Sequence, residues 1–143
     1  MNYILVNSNN GYLSRNYIGT YKARDYIKPL QYVYGGRVVA DDAIIFDSIQ
    51  DAIRYQNSNK WLQNVSNYWM IKQYNVCCNC LIKDNKITWK VFDNNMRLVA
   101  YVVASNDYNA LQFIRTYLDA KADATQAVAK DEDIKPNTPY ITI

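Results

Sequence analysis

Short apolar runs separated by turn-forming pairs dominate the chain, and their spacing changes at two places. "YILV" at 3–6, the polar "NSNNG" and "YLS" at 12–14 read as a first hairpin. "QYVYGGRVVA" at 31–40 reads as a second, with Gly35–Gly36 supplying the positive φ angles of a two-residue type I′ or II′ loop. In "FDSIQDAIRYQ" at 46–56 the period becomes helical. Ser48 or Asp47 can cap the free N–H groups, Asp51 sits in the first turn, and Ile49, Ala52 and Ile53 form one stripe.

Residues 57–67 are polar around Trp61, Leu62 and Val65 and read as a connector with one or two helical turns. The next stretch, "YWMIKQYNVCCNCLIKDNKITWKVF", is extended, with Asp84–Asn85 as a two-residue hairpin loop. That loop sets a register: Ile82 faces Ile87, Cys80 faces Trp89, and Cys78 faces Val91. "RLVAYVV" at 97–103 is apolar on both faces and reads as a central strand. Ser105 or Asn106 then caps a second helix with Ala110, Leu111, Ile114 and Leu118 inward. Beyond Asp119 the periodicity fades, and the charges and prolines of 130–139 predict a mobile tail; "PYITI" at 139–143 could add a strand here or in a partner.

The fold class predicted is α+β: antiparallel β-meanders, each followed by a packed helix. The divisions are 1–56 for the first meander and helix, 57–67 for the connector, 68–120 for the second meander and helix, and 121–143 for the tail. An internal echo supports this division. "VYGGRVVA" at 33–40 parallels "VFDNNMRLVA" at 91–100, and Ala52-Ile53 with Tyr55 parallels Ala110-Leu111 with Phe113. Two pseudo-repeated ββ(β)α units sharing one core would produce it, and so would two unrelated units built under the same local rules.

Composition narrows the chemistry. The chain has 143 residues, 14 tyrosines, no histidine and a net charge of +3. Without histidine there is no Ser–His–Asp or Cys–His nucleophile pair and no Cys/His zinc pattern. No secretory leader or membrane-length apolar run is visible, and three cysteines do not make a disulfide framework. The expectation is a soluble protein of a reduced compartment, the cytoplasm of a bacterial cell, with no cofactor. "VCCNC" at 76–80 reads as packing, with Cys78 and Cys80 inward and Cys77 on the other face. Asp41, Asp42, Asp47 and Asp51 could gather a cation, but turn and helix-end positions explain them, so no metal is expected.

The stretch 12–37 interleaves cations with aromatic rings: Tyr12, Arg15, Tyr17, Tyr21, Lys22, Arg24, Tyr26, Lys28, Tyr32, Tyr34 and Arg37. From it the candidate partner-binding set is Arg15, Tyr17, Tyr21, Lys22, Arg24, Tyr26, Lys28 and Arg37. Tyrosine and arginine anchor protein interfaces, and the same mixture suits phosphates and bases. A third outcome is a tyrosine-rich sheet whose rings pack inward while the cationic heads reach water.

The pattern "YILVNSNNGYL…YVYGGRVVADDAIIFDSIQDAIRY", over roughly residues 3–55, resembles a loose class of small phage and mobile-element proteins. In these a glycine-turn meander leads into an "F-D-S-x-x-x-A-I" helix, here Phe46 through Ile53. Several inhibit bacterial defence systems, the anti-CRISPR proteins among them. The resemblance implies a non-enzymatic inhibitor or modulator that occupies a surface of a host protein. The meander and helix also look like the sheet-based DNA-reading domains of phage integrases, which carry a dense row of Lys/Arg; here the two strands offer Arg37 and Arg97. A nucleic-acid-binding module is therefore the second expectation. A small-nucleotide sponge, with Tyr/Arg pockets between subunits of an oligomer, is the third.

Overall fold

A computed structural model describes residues 1–15, 26–82, 86–117, 124–130 and 134–143. Among these residues the centre is a mixed sheet of 11 strands with three helices, an α+β architecture. The strands are β1 (Asn2–Asn7), β2 (Gly11–Leu13), β3 (Ile27–Pro29), β4 (Gln31–Val33), β5 (Arg37–Val39), β6 (Trp69–Asn75), β7 (Cys80–Leu81), β8 (Ile87–Asp93), β9 (Leu98–Ala104), β10 (Ala124–Ala129) and β11 (Tyr140–Thr142). The helices are α1 (Ile49–Ser58), α2 (Leu62–Val65) and α3 (Asp107–Tyr117). The main run is β10-β8-β9-β11-β6-β1-β2-β3, and β4-β5 forms an arm that joins it at β6 through β7.

Local chemistry explains most elements. Ser48 caps α1 by accepting from the Asp51 N–H at 3.1 Å, and Asn106 caps α3 by accepting from the Asn109 N–H at 2.8 Å. The β1–β2 hairpin forms as expected, with Asn7 Oδ1 accepting from the N–H groups of Asn9 and Gly11 at 2.9 and 2.8 Å. The Gly35–Gly36 turn holds three residues, not two: Val33 pairs with Arg37, and the Gly36 N–H donates to the Val33 carbonyl at 3.1 Å. Gly35 stands at φ 87°, which the third position of a type II turn requires and only glycine adopts freely.

Alternation along β1 and β6 gives the sheet two covered faces. Leu5, Trp69 and Ile71 meet α1, α2 and α3 through Ile49, Ala52, Leu62, Ala110 and Ile114. Ile4, Val6 and Tyr74 point the other way, into a smaller core with Tyr12, Ala40 and Ala43, fringed by Leu30, Ile45, Met70 and Leu81. The arm therefore lies over the face opposite the helices.

Three further expectations are corrected. Residues 124–129 and 140–142 of the expected mobile tail are strands. β11 lies between β6 and β9, parallel to both, with Ile141 fully buried beside Ile71 and Val102. Its apolar Tyr140-Ile141 pair gains core contacts on both sides that outweigh the entropy of ordering a short segment.

The Asp84–Asn85 register also differs. β8 pairs with β9 (Ile87 with Ala104, Trp89 with Val102, Val91 with Ala100) and with β10 on its other edge, which leaves no edge for β7. β7 instead folds back on β6, pairing Asn75 with Cys80 and Tyr74 with Leu81. The hairpin loop itself, 83–85, lies outside the described residues.

Consequently "VCCNC" is a turn rather than strand packing. Cys80 is buried, Cys77 is an exposed free thiol, and Cys78 is joined to Cys80 by a disulfide, with Cα atoms 5.2 Å apart. Two cysteines expected as free thiols are therefore paired.

The central placement of "RLVAYVV" holds: β9 has β8 and β11 as neighbours. The two echoing hairpins occupy unlike places, β8–β9 in the main run and β4–β5 in the arm, so the geometry shows no repeat. No described helix is long and apolar enough to cross a membrane.

Candidate functional site

The basic, tyrosine-rich stretch separates into residues with different tasks. Tyr17, Tyr21, Lys22 and Arg24 lie outside the described residues. Tyr26 is half-buried against the main core, its ring 6.0 Å from that of Trp61. Lys28 is ion-paired with Asp42. Arg15 keeps an exposed side chain, while its N–H donates to the Asp42 carbonyl at 2.9 Å. Arg37 is exposed at the start of β5.

Asp42 organises the first of these groups. It sits in the left-handed region at φ 53°, and its carboxylate accepts from the Tyr12 hydroxyl at 2.9 Å as well as from Lys28. The Tyr12 hydroxyl also donates to the Asp41 carbonyl. Burial, and then the neighbouring Asp42 carboxylate, push the Tyr12 phenol well above its ordinary value. The Asp41–Asp42 turn is thus a structural tie between the β2–β3 edge and the arm.

Arg37 faces different surroundings. A groove of about 480 Å³ opens between the arm and β6, lined by Tyr32, Gly35, Gly36, Arg37 and Val38 on one side and by Lys72, Gln73, Leu81, Ile82 and Thr142 on the other. Lys72 is two residues from both Met70 and Tyr74 on β6, so it stands on the face opposite the helices. Two cations line the groove, and no described carboxylate does. No ion pair ties Arg37 or Lys72 to a described acid. The echo makes the contrast plain. Arg97, the counterpart of Arg37, has its Nε 3.3 Å from Asp93 Oδ2, and its N–H donates to Asp93 Oδ1 at 3.0 Å. Those main-chain and guanidinium donors hold the Asp93 carboxyl below its ordinary range.

Large exposed apolar groups lie in and next to the same groove. Tyr34 at the arm's tip is 100% exposed, Tyr32 is 74% exposed and Ile82 is 43% exposed. Such side chains in water cost free energy that a partner recovers by covering them. Tyr34 does not line the groove; it is fully exposed on the same turn as Gly35 and Gly36, which do.

Tyr32, Tyr34 and Arg37 were visible in sequence as part of the interleaved stretch. Lys72, Gln73, Leu81, Ile82 and Thr142 were not, because they reach the groove through β6, β7 and β11, whose pairing is long-range. Among the described residues no cluster of His, Cys, Asp or Glu could hold a metal ion. No protein-family model, curated protein or solved structure matches the chain.

Proposed function

We propose that the chain is a non-enzymatic binding protein that grips an acidic surface of a partner protein with the β4–β5 arm and the groove beside it. The observation that carries this reading is the exposure of Tyr34 and Tyr32 around a groove holding Arg37 and Lys72. Tyrosine gives large contact area at low entropic cost, and tyrosine and arginine dominate interface energetics. Two cations without a lining carboxylate favour an acidic segment, and the apolar floor of Val38, Leu81 and Ile82 favours an apolar side chain beside it.

A small nucleotide would fill the groove but leave Tyr34 in water, so a larger partner fits the exposed surface better. Nucleic acid would need a row of cations along its backbone, whereas Lys28 is engaged by Asp42 and Arg97 by Asp93. The absence of histidine supports a role in occupying a surface rather than in catalysis. With the resemblance of residues 3–55 to phage accessory proteins, the partner in this reading is a host protein, and the effect of binding is inhibition or modulation.

The test is a pull-down from host extract with the tagged full chain beside its Tyr34→Ala and Arg37→Glu variants. The reading expects a protein retained by the parent and lost by both variants. Equal retention by all three contradicts it, as does strongly salt-dependent binding of DNA or RNA by the parent chain.

A further inference from the structure

We propose that Cys78 and Cys80 form a thiol–disulfide exchange site that sets how firmly the β4–β5 arm is held to the sheet. Three features of the 76–80 turn converge on this. First, Cys78 is half-buried and accessible, whereas Cys80 is buried, so the two sulfurs differ in which can be attacked. Second, Cys80 is the residue of β7 that meets both neighbours, pairing with Val39 of β5 and Asn75 of β6. Third, Asn79, enclosed between the bonded cysteines at φ 51°, presents the carbonyl that accepts from the Ala40 N–H at 3.2 Å.

Closing the Cys78–Cys80 ring therefore fixes the residue from which the arm hangs. Opening it lets Asn79 leave the left-handed region, and the Ala40 hydrogen bond loses its anchor. The Cys78 thiol formed on opening has a partner within reach, since its sulfur lies 3.8 Å from the Asn75 carbonyl oxygen.

The chemistry balances with a small thiol as reductant. Its thiolate attacks Cys78 Sγ, forming a mixed disulfide and expelling the Cys80 thiolate, which takes a proton from water. A second small thiolate attacks the external sulfur of that mixed disulfide. It leaves as part of the small-molecule disulfide and releases Cys78, which is protonated in turn. Two electrons pass from two thiols to the protein disulfide, and the reverse direction uses the small disulfide as oxidant. Cys77, exposed and unpaired, takes no part.

The site can be tested independently of what the groove binds. The full chain is equilibrated in glutathione buffers from fully oxidised to fully reduced, then alkylated with a maleimide and weighed. In the oxidised buffer Cys77 alone is expected to be modified, by a label or by glutathione, and in the reduced one three labels are expected. Hydrogen exchange at the Ala40 amide is expected to speed up about tenfold or more on reduction, while the Tyr101 amide, bonded to the Pro139 carbonyl, keeps its rate. In Cys80→Ser the Ala40 rate is expected to stay at the reduced value in every buffer. Three labels in the most oxidising buffer overturn the proposal. So does an Ala40 rate equal in the two buffers, or one that still follows the buffer in Cys80→Ser.

Discussion

Val39 of β5 lies in antiparallel register with Cys80 of β7, and through this pairing the arm that carries Tyr32, Tyr34 and Arg37 meets the rest of the sheet. Side chains strengthen the attachment from below: the buried Tyr74 hydroxyl donates to the Ala40 carbonyl at 2.9 Å. An exposed arm, for which binding is proposed above, thus hangs from a small set of hydrogen bonds over a small apolar core.

Tyr74→Phe removes that tie with little change of volume. The loss expected is about 1 kcal/mol, rising toward about 3 if the Ala40 carbonyl finds no other donor. Urea denaturation measures it, and limited proteolysis should cut within 31–40 faster in the variant. An unchanged midpoint and cleavage pattern would mean that the hydroxyl does not hold the arm.

Tyr12 makes stability fall in alkali. Burial and Asp42 raise its pKa in the folded state above the ordinary 10.0, and burial raises Tyr74 as well. A raised folded pKa stabilises fully below the unfolded value and loses that contribution as pH climbs toward the folded one. The thermal midpoint should therefore hold steady up to about pH 10 as far as these phenols are concerned and drop above it. Tyr12→Phe should start lower and fall less steeply; parallel curves for the two proteins would exclude Tyr12 as the cause.

Ile141→Ala tests the placement of β11. Its side chain is fully buried between β6 and β9, so truncation should cost roughly 2–5 kcal/mol. Chemical denaturation reads this directly. A loss under about 0.5 kcal/mol, the level of an ordinary surface change, would place residues 140–142 outside the core.

How much of this was legible depended on the range of the interactions. Ser48 with Asp51, Asn106 with Asn109, and the turns at Asn7–Gly11 and Gly35–Gly36 are local devices, and each marks its element in the sequence. The buried run of β9 was equally plain. "PYITI" marks β11 only as a strand without an assigned neighbour, because its place depends on β6 and β9 being present to pair with both edges. Asp84–Asn85 gave a sound local argument for a hairpin that competition overrode: β9 offers β8 a seven-residue partner, whereas β7 has two residues. The groove inherited both misreadings, since Leu81 and Thr142 lie on those two strands. Arg37 was legible as a candidate, but its contrast with Arg97 needed the Asp93 contact to be seen.

The most direct test of a binding arm is the affinity of Arg37→Glu for the captured partner, measured by calorimetry beside the parent chain and an Arg97→Glu control. The Arg37 side chain is exposed and in no ion pair among the described residues, so the variant should keep the parent's thermal midpoint and bind about tenfold or more weakly. Arg97→Glu should lose stability through Asp93 and keep its affinity when folded. Unchanged affinity in a folded Arg37→Glu would contradict the account.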